Sequence, residues 1–182
     1  WYASFHDESH HPHVHMVCYS ADGKSGFLTE QGIEKIKSGI AKEVFRNDLT
    51  EIYERQTQHR DSLNRDSQKA LHRITLQMQD GTLSNERIEE LMMELSRQLR
   101  ITSGKKQYGY LKPSVKSLVD EIVDELERDE RIAAAYNLWY EMREEVLRTY
   151  KDELPERIPL SRQKEFKRIK NIVIQEAVRV GT

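Results

Sequence analysis

The spacing of apolar residues in this sequence changes once, at Thr29. Before Thr29, residues 1–6 and 14–19 are rich in aromatic and β-branched side chains, which favours two short β-strands. After Thr29, apolar residues recur every three or four positions to the end of the chain, which is the period of an α-helix. The pattern therefore predicts an α+β fold, with a short N-terminal antiparallel β-hairpin followed by a mostly α-helical region.

Polar residues mark where the helices are expected to begin. Thr29 is a candidate N-cap for the first helix, Asn85 or Ser84 for an amphipathic helix at 88–99, and Ser161 for the last helix, because their side-chain oxygens can accept hydrogen bonds from the unpaired N–H groups of a first turn. A loop rich in glycine and lysine, at 102–113, separates the helices into two groups. We accordingly divide the chain into a strand region at 1–28 and helical regions at 29–101 and 102–182.

Five of the seven histidines lie between residues 6 and 15. His13 and His15 are two positions apart, which places both side chains on one face of a strand. If the chain folds back after the first strand, His6 lies across from this pair. Neutral imidazole is a common ligand for divalent metals. Three imidazoles on two paired strands predict a metal site with a fourth position open, as in catalytic zinc sites.

The opposite face of the second strand would carry Val14, Met16 and Cys18, and we expect that face to pack into a core. A two-stranded hairpin is marginal by itself in water. We therefore interpret the chain, which begins at Trp1 and not at methionine, as a fragment in which preceding strands would complete the sheet.

The histidines belong to a longer pattern, His-x-acidic-x-x-x-Pro-His-x-His, with Glu8 at the acidic position, Pro12 before the histidine pair and Val14 within it. This pattern resembles motif III of conjugative relaxases of the HUH endonuclease superfamily. It is most similar to that of plasmid mobilisation relaxases of the MobA/MobL type. The motif covers about the first twenty residues, and segments 45–61 and 104–113 also look similar to this family.

The resemblance implies a site- and strand-specific enzyme that nicks single-stranded DNA at an origin of transfer by transesterification and stays joined to the 5′ end. A divalent metal bound by His6, His13 and His15 would hold the scissile phosphate. Mn, Mg and Zn are candidates, and three imidazoles favour Mn or Zn over Mg. Glu8, or equally Asp7, would orient a ligand histidine by a hydrogen bond to its far nitrogen.

The nucleophile of such an enzyme is usually a tyrosine in a motif near the N-terminus of the full protein. Tyr2 and Tyr19 match no such motif, so we expect the nucleophile to lie outside this chain and the chain alone to be inactive in nicking. The resemblance also implies accessory relaxosome or coupling proteins as partners.

Basic and aromatic residues of the helical region are candidates for DNA contact. Lysines can pair with phosphates and tyrosines can stack on bases. A solvated loop and solvated helix faces are the alternative interpretation. The candidates are Lys105, Lys106, Tyr108, Tyr110 and Lys112 in the loop, and Arg55 and Arg60 on the preceding helical segment.

Two other functions are compatible with the sequence. The helical region could be a protein-interaction module of a relaxosome that carries a non-catalytic metal site, because the helix at 88–99 has a continuous apolar face that needs a partner surface. The histidine site could alternatively belong to a hydrolase of another phosphoester. The single cysteine indicates a reducing cytoplasm, and the lack of an apolar run of about 20 residues predicts no membrane insertion.

Overall fold

A computed structural model of the chain describes residues 1–7, 12–24, 26–81 and 85–181. Within these ranges the chain forms two strands followed by six α-helices, so the predicted α+β class is confirmed. The strands are β1 (Tyr2–His6) and β2 (His13–Val17). The helices are α1 (Glu30–Val44), α2 (Arg46–Gln79), α3 (Glu86–Ile101), α4 (Pro113–Leu126), α5 (Glu130–Arg148) and α6 (Lys167–Val180). Short 3-10 turns occupy Tyr108–Tyr110, Leu160–Arg162 and Lys164–Phe166.

The chain divides into two compact units, residues 1–40 and 41–182. The domain boundaries predicted at 28/29 and 101/102 stay predictions. None of the described helices has the length and apolarity needed to cross a membrane.

The first unit contains the hairpin, in which β1 and β2 pair antiparallel with Tyr2 opposite Val17 and His6 opposite His13. Both faces of the hairpin are exposed. Val14 is 55% exposed and Met16 is 53% exposed, and Cys18 is also exposed. The prediction that these three side chains enter a core is therefore wrong, because two strands alone present too little surface to form one.

The second unit is built around a core shared by α2, α3, α4, α5 and α6. Helix α2 packs against α5 and α6, and α3 packs against α4 and α6. The core includes fully buried large side chains such as Trp139 and Phe166, whose rings meet edge to face with centroids 4.9 Å apart. Burial of this apolar surface is the main source of the stability of the unit.

The apolar face of α3 is buried in this core. Leu91, Met92, Leu95 and Leu99 are each at most 5% exposed. The amphipathic pattern that suggested a partner surface at 88–99 is thus explained by packing inside the unit.

The predicted helix starts agree with the structure at two of three places. Thr29 Oγ1 accepts a hydrogen bond from the Gly32 N–H (3.1 Å), and Asn85 Oδ1 accepts one from the Ile88 N–H (3.1 Å); Ser84 lies outside the described residues. Ser161 does not cap the last helix. It is buried within the 3-10 turn Leu160–Arg162, and α6 begins six residues later because the intervening segment forms two short turns that end on the buried Phe166.

Candidate metal centre

The strand register places the three predicted ligand histidines on one face of the hairpin. His6, the last residue of β1, lies directly opposite His13, the first residue of β2. His15 lies two residues further along β2, opposite Ser4. Directly paired residues point to the same side of a sheet, and so do residues two apart on one strand. All three imidazoles therefore project from the same surface.

The imidazoles are close enough to share one ion. One ring nitrogen from each of His6, His13 and His15 lies within 4.8 Å of the other two. The ring centroids are 5.4 Å apart for His6 and His13, and 4.9 Å apart for each of the other two pairs. His6 is half-buried and the other two are exposed, so a ligand can approach the cluster from solvent.

The geometry of the ring nitrogens fits a divalent ion. Two imidazole nitrogens bound at about 2.0–2.1 Å to one tetrahedral ion lie about 3.3 Å apart. His13 Nε2 and His15 Nε2 are already 3.1 Å apart. One ring nitrogen of His6 lies within 4.8 Å of ring nitrogens of both His13 and His15. The donor set, three imidazoles without a carboxylate or thiolate, suits zinc and other transition ions.

Two polar side chains share the face of the histidines and were not among the predicted site residues. Ser4 lies directly opposite His15, and Tyr2 is two residues before Ser4 on β1. The Tyr2 ring also contacts the Tyr19 ring, with centroids 5.9 Å apart. The alternation of β1 already implies that Tyr2, Ser4 and His6 share a face, but only the pairing register of the strands shows that Ser4 lies opposite His15.

The acidic position of the motif, Glu8, lies outside the described residues, as do His10 and His11. The role of Glu8 in orienting a ligand histidine stays a prediction. Asp7 is described and exposed.

The candidate DNA-contacting residues lie in the second unit. Lys105, Lys106, Tyr110 and Lys112 are exposed, and Tyr108 is half-buried. The two candidate arginines each lie near a carboxylate of α2: Arg55 Nη2 is 3.3 Å from Glu51 Oε1, and Arg60 Nη2 is 3.0 Å from Asp61 Oδ1. Both arginines are thus paired with a carboxylate, whereas none of the three lysines has an acidic partner among the described residues.

The chain resembles proteins of a known family. The sequence model of a family described as MobL relaxases matches residues 1–181. No curated protein and no solved structure matches the chain.

Proposed function

The chain belongs to the MobL relaxase family, and from this premise we propose that it is the metal-binding part of an enzyme that nicks one DNA strand at an origin of transfer by transesterification. The observation that carries the proposal is the convergence of three imidazoles, from His6, His13 and His15, on one face of a hairpin. Relaxases generally use divalent metals, and this cluster is where we place the ion.

The residues of the cluster have defined tasks in this proposal. His6, His13 and His15 bind the ion through neutral imidazole nitrogens, so its double positive charge is not reduced by its ligands. When bound, the ion supplies Lewis-acid stabilisation for the negative charge that develops on phosphate oxygens. The backbone pairing of β1 and β2 fixes the separation of the ligands, and their exposure leaves room for a phosphate.

Residues outside the three-histidine cluster have fewer assigned roles in this proposal. Glu8 would orient one of the ligand imidazoles through a hydrogen bond. The attacking hydroxyl is not assigned to Tyr2, Tyr19 or any other residue of the chain. Binding of single-stranded DNA, association with accessory relaxosome or coupling proteins, and a cytoplasmic location remain predictions.

Calorimetric titration of the full chain with Mn²⁺, Zn²⁺ and Mg²⁺ tests the site. We expect one ion per chain, tighter binding of Mn²⁺ or Zn²⁺ than of Mg²⁺, and affinity at least about tenfold weaker in His13→Ala, since even the residues that orient metal ligands are worth 10–100-fold. His59→Ala is the matched control, because His59 lies on α2, away from the cluster in sequence. If the wild-type chain binds no tighter than His13→Ala, the metal site is not where we place it.

The product of DNA cleavage separates this proposal from a phosphoester hydrolase. The test uses a protein that contains this chain together with its nucleophile, because we expect the chain alone to be inactive in nicking. A relaxase leaves protein joined covalently to the 5′ end, whereas a hydrolase leaves two free ends. The protein–DNA adduct is detectable on a denaturing gel with a labelled strand, and free ends alone would favour the hydrolase.

A further inference from the structure

A cluster of lysines surrounds the 3-10 turn Tyr108–Tyr110, which connects α3 to α4. The Lys116 Nζ, on α4, is 3.5 Å from the carbonyl oxygen of Gly109. The Lys167 Nζ, at the start of α6, is 3.7 Å from the point where a Cβ on Gly109 would lie. The Lys105 Nζ lies 5.5 Å from the centroid of the Tyr110 ring. Three separate segments therefore bring positive charge to one turn.

The turn itself is held firmly by Tyr108. The Tyr108 N–H donates to Asn171 Oδ1 (3.0 Å), and its hydroxyl donates to Asp120 Oδ2 (2.8 Å). The Lys170 Nζ lies 4.0 Å from the centroid of the Tyr108 ring and 2.8 Å from Asp120 Oδ1. These contacts fix the backbone of the turn, so Gly109 and Tyr110 are presented in a defined position.

The same contacts neutralise the carboxylate that lies next to the turn. Lys170 is only 8% exposed. Burial by itself lowers the pKa of Lys170, but hydrogen bonds to Asp120 and Tyr108 outweigh burial, and the pKa is raised above its usual value. Burial also raises the pKa of the Tyr108 hydroxyl, so this residue stays a neutral donor. Asp120 is therefore paired with Lys170 and does not offset the charge of the outer lysines, which are Lys105, Lys116 and Lys167.

The outer lysines have no acidic partner in the described part of the chain. Lys105, Lys116 and Lys167 each lie farther than 4.0 Å from every described carboxylate. In a chain whose net charge is −2, an uncompensated cluster of this kind is a local attraction for an anion. We call these three lysines together with Tyr110 the turn face.

Tyr110 adds an apolar platform to the charge. Its side chain is 67% exposed, although aromatic rings usually bury most of their surface. A lone phosphate has no flat apolar surface that could stack on this ring. The bases of a duplex are stacked on one another and are not available to it. Unpaired bases, in contrast, stack on exposed aromatic side chains while lysines follow the phosphates.

We propose that the turn face binds single-stranded DNA, with phosphates on the lysines and one base stacked on Tyr110. The proposal deepens the proposed function and rests on it for the identity of the strand, since a relaxase handles an unpaired strand at its origin of transfer. Tyr108 supports the turn from beneath and is not itself the stacking surface.

Fluorescence anisotropy with a labelled single strand of mixed sequence, titrated with the full chain in EDTA over a range of salt concentrations, tests the proposal. Each lost phosphate contact on a single strand reduces the slope of log K against log salt by about 0.7. The double variant Lys116→Gln/Lys167→Gln should therefore reduce that slope by about 1.4. The control Lys35→Gln/Lys69→Gln removes two exposed lysines from α1 and α2 and should leave the slope unchanged.

The stacking platform has its own pair of variants. Tyr110→Ala should weaken binding by about tenfold, whereas Tyr110→Phe keeps the ring and should bind like the wild type. The proposal is overturned if Lys116→Gln/Lys167→Gln and Lys35→Gln/Lys69→Gln give the same salt slope, or if Tyr110→Ala binds the strand as tightly as Tyr110→Phe. It is also overturned if a duplex of the same sequence binds as tightly as the single strand, or if the wild type does not bind the single strand.

Chelation of metal keeps this result independent of the histidine site. If the chain binds no metal but the turn-face variants lose DNA affinity, the proposed function fails and the turn face stands. If the metal titration succeeds but the turn-face variants bind DNA normally, the turn face fails alone.

Discussion

Arg157 lies in the segment after α5 and binds side chains of that helix. Its removal should lower the free energy of unfolding. Arg157 Nε lies 2.7 Å from Glu144 Oε1, and its Nη2 lies 2.9 Å from Glu144 Oε2. Its Nη1 is 3.3 Å from Asn137 Oδ1, and the guanidinium lies 5.0 Å from the centroid of the Tyr140 ring. Arg157→Met removes the charge and all of these donors while keeping most of the side-chain stem.

The burial of the two partners sets the size of the effect. The Glu144 side chain is 12% exposed and the Arg157 side chain is 43% exposed. Breaking a fully buried pair costs about 3–5 kcal/mol, and an exposed pair is worth about 0–1 kcal/mol. With one largely buried and one exposed partner, we expect Arg157→Met to lower the free energy of unfolding by about 1–2 kcal/mol at neutral pH.

The loss should depend on pH in a defined direction. The hydrogen bonds from Arg157, more than any other interaction, hold the pKa of the Glu144 carboxyl below its usual value of 4.5. A carboxyl with a lowered pKa in the folded state stabilises the fold above its unfolded pKa, and this stabilisation disappears as the pH falls through the folded pKa. The difference between the wild type and Arg157→Met should therefore be complete above about pH 5 and shrink in more acidic solution.

Urea unfolding followed by tryptophan fluorescence measures the effect, because Trp139 is buried in the core of the same unit. Arg148→Met is the matched control. Arg148 Nη2 approaches the same carboxylate only to 3.9 Å and its side chain is 65% exposed, so its loss should cost less than about 0.5 kcal/mol. Equal losses in the two variants, or a loss for Arg157→Met that does not shrink in acid, would refute this account of the pair.

Two further substitutions test the second unit. Leu95→Ala should lower the free energy of unfolding by about 2–5 kcal/mol, because Leu95 is fully buried; Met93→Ala, on the same helix but 52% exposed, should cost under about 1 kcal/mol in the same urea titration. Asn85→Ala should cost about 1 kcal/mol, since it removes the acceptor for the Ile88 N–H, and Asn85→Asp should restore most of this; a neutral Asn85→Ala would show that the cap does not stabilise α3.

Features that depend on neighbouring residues in the sequence were predictable. The spacing of His13 and His15 and the fold-back of β1 predicted that three imidazoles would meet, and the register of the hairpin agrees. The helix starts at Thr29 and Asn85 followed from the same local reasoning, because a cap needs only the side chain and the first turn. Metal binding by the three histidines remains a prediction.

Features that depend on packing between distant segments were not predictable. Lys116 and Lys167 are 51 positions apart, and they meet at Gly109 only because α4 and α6 pack against each other. The start of α6 was misplaced for the same reason, since Phe166 ends a 3-10 turn as a member of the core. The apolar face of β2 was predicted to be buried, because periodicity identifies which side chains share a face and not whether anything covers that face.

The exposure of Cys18 has a practical consequence for spectroscopy. It is the only cysteine of the chain, it is exposed, and it follows His15 by three residues. A thiol-reactive nitroxide would therefore attach at a single position, at most about 11 Å along the backbone from the nearest histidine of the cluster. Mn²⁺ held by the imidazoles would broaden the nitroxide signal through its unpaired electrons, so one labelled chain would report whether an ion binds close to Cys18 without any change to the histidines.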